Sequence, residues 1–271
     1  MEREIQEKYE NLKNYVASLG SVAVAYSAGV DSTFLLRVCH DVLGDRCIAM
    51  TGKSPSYPMR ELSEALDFCK KEGIEQIVFD TREMDNEDYR KNPKNRCYYC
   101  KKTLFGQMLE YANARGIAHI AEGSNMDDLG DYRPGLMAAE ELHAVSPLRH
   151  ACLTKNDIRV LSKELGLPTW DKPSFACLSS RFAYGQYLTP EKLHRVEKAE
   201  DYLKSLGIRQ YRVRSDDVTA RIEILPKDFP VLMDPSTRTR TVEAFKALGF
   251  HYVTLDLAGF RSGSMNETLK N

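Results

Sequence analysis

No apolar run in the 271 residues approaches the roughly 18–20 that a membrane-spanning helix needs, so no membrane partner is expected. No charge of one sign prevails: 38 Lys and Arg against 39 Asp and Glu leave a net charge of −1. That balance argues against a broad electrostatic footprint for nucleic acid, and a nucleic-acid partner is not expected. There is no internal repeat and no low-complexity segment. No signal peptide is read at the start, because Met1-Glu-Arg-Glu-Ile-Gln-Glu-Lys8 is charged and helical in pattern, and a cytoplasmic location follows by default. The seven cysteines are an odd number in such a chain, which favours metal or catalytic chemistry over a disulfide framework.

What is present is organised around Val22-Ala-Val-Ala-Tyr-Ser-Ala-Gly-Val-Asp-Ser-Thr33. Val22 to Tyr26 is an apolar run bounded by Gly20 and Ser27, which reads as a buried strand. Phe34, Leu35 and Val38 then recur at helical spacing. A small polar turn thus sits at a helix N-terminus, where backbone N–H groups and the helix dipole favour an anion. No Gly-Lys-Ser/Thr follows, so this is not a Walker A loop. Ser27-Ala-Gly-Val-Asp-Ser32 resembles the PP-loop, Ser-Gly-Gly-x-Asp-Ser, of N-type ATP pyrophosphatases, which split ATP into AMP and pyrophosphate to adenylate an acceptor. Ala28 replaces the first Gly of that pattern, a change that costs little unless the position needs a positive φ.

Residues 2–19 read as an amphipathic helix with Ile5, Leu12 and Val16 on one face. Strands are expected at Cys47–Thr51, Ile77–Phe79 and Ile117–Ala121, and helices at Met59–Lys71, Phe105–Ala114 and Thr154–Leu165. This alternation predicts an α/β fold with a doubly wound parallel sheet, whose ligands sit at the carboxyl ends of the strands, where Thr51 falls. Thr169–Thr189 has little periodicity but carries Trp170, Phe175, Phe182 and Tyr184, which marks it as a functional loop. Beyond it a helix at Glu191–Leu206, strands at Gln210–Arg214, Ala220–Leu225 and His251–Leu255, and a helix at Arg238–Leu248 predict a small α+β domain. The expected division is 1–170 for the ATP domain, 171–189 for an active-site loop and linker, and 190–271 for a substrate and oligomerisation domain.

Glu122-Gly-Ser-Asn-Met-Asp-Asp128 follows the fourth predicted strand. Carboxylates beside a bound triphosphate usually hold magnesium, a role open to Asp127 or Asp128, with Gly123 in the same loop and Arg133 placed to neutralise phosphate. The plainer reading is an Asp-rich turn capping the helix that begins near Leu136.

Cys97 and Cys100 form a C-x-x-C pair flanked by Arg96, Lys101 and Lys102, cationic neighbours that favour thiolate. Cys177 lies in Lys172-Pro-Ser-Phe-Ala-Cys-Leu-Ser-Ser-Arg181. A zinc half-site, a dithiol redox pair, and three ligands of a [4Fe–4S] cluster all remain open, although no second C-x-x-C exists to complete a zinc site. Cys39, Cys47, Cys69 and Cys152 lie in apolar contexts and are expected to be buried. Arg212 and Arg214, two apart on a predicted strand, face one way, a geometry suited to phosphate or to an exposed basic face.

The PP-loop, Gly-Ser-Asn-x-Asp-Asp, Asp131-Tyr-Arg-Pro-Gly135, Ser146-Pro-Leu148 and Pro173-Ser-Phe-Ala-Cys-Leu-Ser-Ser-Arg181 occur in that order. Together they resemble the LarE family, and the likeness runs through most of the chain. The resemblance implies an ATP- and Mg²⁺-dependent sulfur transferase of nickel-pincer nucleotide biosynthesis. Such enzymes adenylate the carboxylates of pyridinium-3,5-biscarboxylic acid mononucleotide and replace oxygen with sulfur. One branch sacrifices the sulfur of a single cysteine, matching Cys177. Another has three cysteines, as here, and is similar to cluster-dependent thiolation enzymes, which implies a [4Fe–4S] cluster on Cys97, Cys100 and Cys177 and sulfide or another sulfur donor. It further implies that Ser27, Gly29, Asp31 and Ser32 hold ATP, that Arg181 holds the substrate carboxylate or the developing charge, and that Arg212 and Arg214, with Glu200, lie at the mononucleotide. A homo-oligomer is expected. The rivals are a tRNA-thiolating enzyme, an amidotransferase-like ligase and a nucleotide-binding regulatory module with structural zinc.

Overall fold

The computed structural model describes residues 3–130, 134–261, 263 and 264. The chain divides into two compact units, Met1–Asn86 with Asn95–Phe175, and Glu87–Lys94 with Ala176–Asn271. In chain order the first unit runs α1 (Arg3–Ser18), β1 (Val22–Ala25), α2 (Val30–Leu43), β2 (Cys47–Lys53), α3 (Met59–Glu72) and β3 (Gln76–Asp80). A short helix of the second unit, α4 (Glu87–Arg90), interrupts it. It resumes with α5 (Arg96–Ala114), β4 (His119–Ala121), α6 (Pro134–Glu141), α7 (Pro147–His150) and α8 (Lys155–Glu164).

All strands of its sheet are parallel, in the order β3-β2-β1-β4. The apolar run alternates across this sheet. Val22 and Val24 enter a core with Leu12, Val16, Phe34, Phe68, Ile158 and Leu161, whereas Ala23 joins Ile48, Met50, Phe105, Met108 and Ile120 on the opposite face. Helices thus cover both faces, as a parallel sheet requires. The chain leaves β1 toward β2 on one side and reaches β4 on the other, so the β1/β4 boundary is the switch point where such sheets bind ligands. The loops following β1 and β4 are the phosphate-loop candidate and the Glu122–Asp128 segment.

The C-x-x-C pair lies within α5, which begins at Arg96 rather than at Phe105. Its first turn buries Arg96, exposes Cys97 and leaves Tyr98, Tyr99 and Cys100 half-buried, and so lacks the apolar periodicity that marks the rest.

The second unit contains α9 (Pro190–Ser205), β5 (Tyr211–Ser215), β6 (Thr219–Ile224), α10 (Phe229–Met233), α11 (Pro235–Ala247) and β7 (Tyr252–Leu255). Its sheet is ordered β5-β6-β7, with β5 antiparallel and β7 parallel to β6. α11 starts at Pro235 because Asp234 caps it, accepting the Thr237 N–H at 2.8 Å. Residues 87–94 secure the irregular 179–188 stretch of this unit. Tyr89 Oη and Ser179 Oγ are 2.7 Å apart, Asn92 Nδ2 donates to the Ala183 carbonyl at 2.8 Å, and the Leu188 N–H donates to Arg90 O at 2.8 Å.

Candidate active site

The turn after β1 is bent at Ala28, which is buried with φ +53°. The missing glycine therefore does matter, because an L-residue in the left-handed region is strained. Gly29 is extended, with φ −79° and ψ 166°, so its value is spatial. A Cβ there would come into ordinary contact with two hydroxyls, 3.5 Å from Ser27 Oγ and 3.9 Å from Ser32 Oγ, which are themselves 3.1 Å apart. Gly29 is the N-cap of α2, and among the described residues no side chain caps it. The first-turn N–H groups of this 14-residue helix are thus left for a ligand.

Gly123 brings the loop after β4 against this turn; a Cβ on it would meet the Ser32 backbone nitrogen at 3.2 Å. Asn125 Nδ2 donates to Asp31 at 3.4 Å. Buried Glu122 accepts hydrogen bonds from the hydroxyls of Ser124 and Ser146. Asp127 accepts the Lys155 N–H at 2.8 Å, in the first turn of α8, and Asp128 accepts the Asn125 N–H at 2.9 Å. The Lys155 ammonium itself pairs with Asp31. Thr51 is buried at the end of β2, where its hydroxyl donates to Tyr26 O at 2.9 Å and accepts from Gln76 Nε2 at 2.8 Å. That ties β2 to the residue after β1 and to the first residue of β3. Arg133 lies outside the described residues.

Cys97 is exposed and Cys100 half-buried, on one face of the first turn of α5. Cys100 Sγ lies 3.8 Å from Oε2 of Glu83, a buried carboxylate that also accepts from the Ser56 and Thr81 hydroxyls at 2.8 Å. Cys177, in the second unit, is exposed. Among the described residues, no three His, Cys, Asp or Glu side chains are grouped to hold a metal ion. Cys39, Cys47 and Cys69 are buried, and burial pushes the Cys69 thiol up to about 12. Cys152, by contrast, is exposed in a turn with φ +56°, a placement its apolar neighbours Ala151 and Leu153 conceal.

In the second unit Arg181 and Glu200 are both sealed from solvent. Arg181 Nε and Nη2 donate to the two Glu200 oxygens at 2.7 and 3.1 Å, and the Val213 N–H donates to Glu200 at 3.0 Å. Burial pushes the Glu200 carboxyl up, but the Arg181 charge and hydrogen bond, with Arg212 and the Val213 N–H, hold it below the ordinary range. Arg181 Nη1 donates to the carbonyls of Ala176 and Cys177 at 2.9 and 3.2 Å. The guanidinium therefore holds the cysteine loop. Arg212 is pulled down to about 9 by burial and by the Arg181 charge, with its guanidinium over the Phe260 ring.

Arg181 and Arg214 line a cavity of about 310 Å³ together with Arg221, Ser180, Thr219 and Thr254. Arg212 and Glu200 are not among its described lining residues. Arg214 donates to Ser180 O at 2.6 Å and to Glu223 at 2.9 Å, while its Nε is buried without a hydrogen-bond partner among the described residues. Such an orphaned donor in a cationic wall suits an anionic ligand.

No family model matches the chain. It is 44% identical over 265 residues to an uncharacterised protein of Synechocystis, covering 98% of this chain and 99% of that one. It is 39% identical over 256 residues to pyridinium-3,5-bisthiocarboxylic acid mononucleotide synthase of Lactiplantibacillus plantarum, covering 93% of this chain and 91% of the synthase. The chain belongs to the LarE family. One component of the glutamine-hydrolysing GMP synthase of Thermoplasma volcanium is 26% identical over 179 residues, 60% of this chain and 56% of that one. The first unit accordingly has the adenine nucleotide alpha hydrolase-like, PP-loop fold. Like its LarE relatives the chain is an enzyme, an ATP-dependent sulfur transferase that forms AMP and pyrophosphate.

Beyond the residues marked by the LarE motifs, the structure adds Lys155 and Lys172 around the turn after β1 and Arg221 to the cavity of the second unit. Lys172, which sequence places as a cation near Cys177, instead puts its ammonium 3.0 Å from the Ala28 carbonyl and 2.7 and 2.6 Å from Glu61 and Glu64. The Lys-Pro that opens the cysteine segment is the sole local sign of it.

Proposed function

We propose that this LarE protein adenylates the carboxylates of pyridinium-3,5-biscarboxylic acid mononucleotide and converts them to thiocarboxylates. The observation that carries the reading is the α2 N-terminus, with its uncapped first turn and the open room at Gly29, set at the switch point of the sheet.

A carboxylate does not expel oxide, so its oxygen must first become a leaving group. A carboxylate oxygen attacks the α-phosphorus of ATP and the bond to pyrophosphate breaks. Ser27, Gly29, Asp31 and Ser32 form the turn that meets the phosphates, with Gly123 fixing its far side. Asp31 and Asp127, both held by Lys155, are the carboxylates offered to the Mg²⁺ that ATP carries. A sulfur nucleophile then attacks the acyl carbon, and AMP leaves with the former carboxylate oxygen. The orphaned Arg214 Nε and the cationic cavity support binding of the mononucleotide phosphate, with Glu200 holding Arg181, and through it the Cys177 loop.

Cys97, Cys100 and Cys177 are the thiols that would hold a [4Fe–4S] cluster. Three thiols are the donor type such a cluster takes, and one helix turn presents two of them. When bound, such a cluster supplies an open iron that carries sulfide for transfer. The exposure of Cys177 also favours a second reading, in which its own sulfur is given up and dehydroalanine remains. Anaerobic purification followed by iron and acid-labile sulfide analysis separates the two. The first predicts about four of each per chain, lost on Cys97→Ala, Cys100→Ala or Cys177→Ala. An iron-free chain whose Cys177 loses the mass of H₂S after turnover would overturn it in favour of the second.

No described helix is long and apolar enough to cross a membrane.

A further inference from the structure

Two cationic contacts converge on the phosphate loop from positions that the LarE motifs do not mark, and a third cation anchors one of them. Lys155, at the start of α8, pairs with Asp31. One turn further along the same helix, Arg159 donates to the carbonyls of Trp170 and Lys172 at 2.6 and 2.9 Å. The Lys172 side chain then crosses to the loop, where its ammonium donates to the Ala28 carbonyl at 3.0 Å and is held by Glu61 at 2.7 Å and Glu64 at 2.6 Å. The loop is thereby fastened at position 28 and at position 31 by one helix and the segment it anchors.

The contact at position 28 falls on the residue that most needs it. Ala28 is buried in a left-handed conformation that an alanine, unlike a glycine, adopts at a cost. The Ala28–Gly29 peptide is trans, so its C=O and N–H point in opposite directions. A cation that fixes the carbonyl on one side fixes the Gly29 N–H on the other. Lys172 keeps only 17% of its side chain exposed, and two carboxylates hold the ammonium in place.

We infer that Lys172 is a positioning residue of the phosphate loop: it holds the Ala28 carbonyl, keeps the alanine in the left-handed conformation, and so orients the Gly29 N–H for the phosphates of ATP. The inference rests on the ATP reading above. Lys172 touches the loop backbone and not the reacting atoms. Its effect is on ATP affinity, and it is coupled to whichever residue stands at position 28.

The test is a double-mutant cycle on the full-length protein with Lys172→Met, Ala28→Gly and the pair, following MgATP binding by calorimetry and steady-state AMP formation. Lys172→Met raises the Kd and KM for ATP roughly tenfold while kcat at saturating ATP stays within about twofold. Glycine adopts the bend without the anchor, so Ala28→Gly in the Lys172→Met background recovers at least about threefold of the lost affinity. Lys172→Arg, which retains cation and donor, stays within about threefold of the parent. Should Lys172→Met not fold, Lys172→Gln, which keeps an N–H for the carbonyl and discards the charge, goes through the same cycle. An unchanged ATP Kd in the folded variant overturns the inference. So does a loss that Ala28→Gly fails to relieve, the result expected of a lysine that meets phosphate directly. Failure of the unsubstituted protein to bind MgATP would instead remove the ATP reading, and the inference with it.

Discussion

Glu200 and Arg181 meet with neither side chain open to solvent, and such a pair is far costlier to break than to keep. Glu200→Gln leaves the guanidinium uncompensated, and a loss of about 3–5 kcal/mol is expected in urea unfolding at neutral pH. Arg181→Met with Glu200→Leu together should lose much less. The Glu200 carboxyl is lowered in the folded protein, so its contribution is present above its ordinary value of 4.5 and fades as pH falls through the lower folded value. Parent and Glu200→Gln stabilities should therefore converge only on the acid side of 4.5; convergence near neutrality would contradict the pairing. The residues of this site were unevenly legible in the sequence. Ser27, Gly29, Asp31, Ser32 and Gly123 announce themselves because phosphate loops need small, polar residues in short order. Lys155 and Lys172 act on Asp31 and Ala28 across 124 and 144 positions, and no local pattern marks a contact of that range.

Among the elements, α8 has the most to hold. It opens with a capping box in which Asp157 N–H donates to Thr154 Oγ1 at 3.2 Å and Thr154 N–H donates to Asp157 Oδ2 at 3.0 Å. Lys155 and Arg159 project from the turns this box secures. Thr154→Ala should cost about 1 kcal/mol in thermal or urea unfolding and weaken ATP binding several-fold, because the fraying turn carries the Asp31 partner. A variant that loses stability but binds ATP unchanged would separate α8 from the phosphate loop. The box was readable, since Thr-x-x-Asp precedes an apolar periodic run. So was the β1–α2 unit, whose strand is one uninterrupted apolar stretch. The first turn of α5 was not, because no apolar stripe runs through exposed Cys97 and Lys102 and half-buried Cys100 and Lys101. The short helices α4, α7 and α10 also went unseen, as four or five residues hold too little periodicity to register.

At the scale of the molecule, the chain carries its PP-loop on one unit and its arginine-lined cavity on the other, with thiols on both. Near-neutral charge fits the proposed reading, a small anionic substrate taken into a cavity in place of a basic surface. The central claim is that ATP activates a carboxylate oxygen which AMP then carries away. The most direct measurement uses pyridinium-3,5-biscarboxylic acid mononucleotide labelled with ¹⁸O in its carboxylates, incubated with ATP, Mg²⁺ and the protein, with AMP analysed by mass spectrometry. Label in the AMP phosphate, in step with thiocarboxylate formed, is the predicted result. Thiocarboxylate formed with unlabelled AMP, or AMP released at the same rate without the mononucleotide, would contradict it.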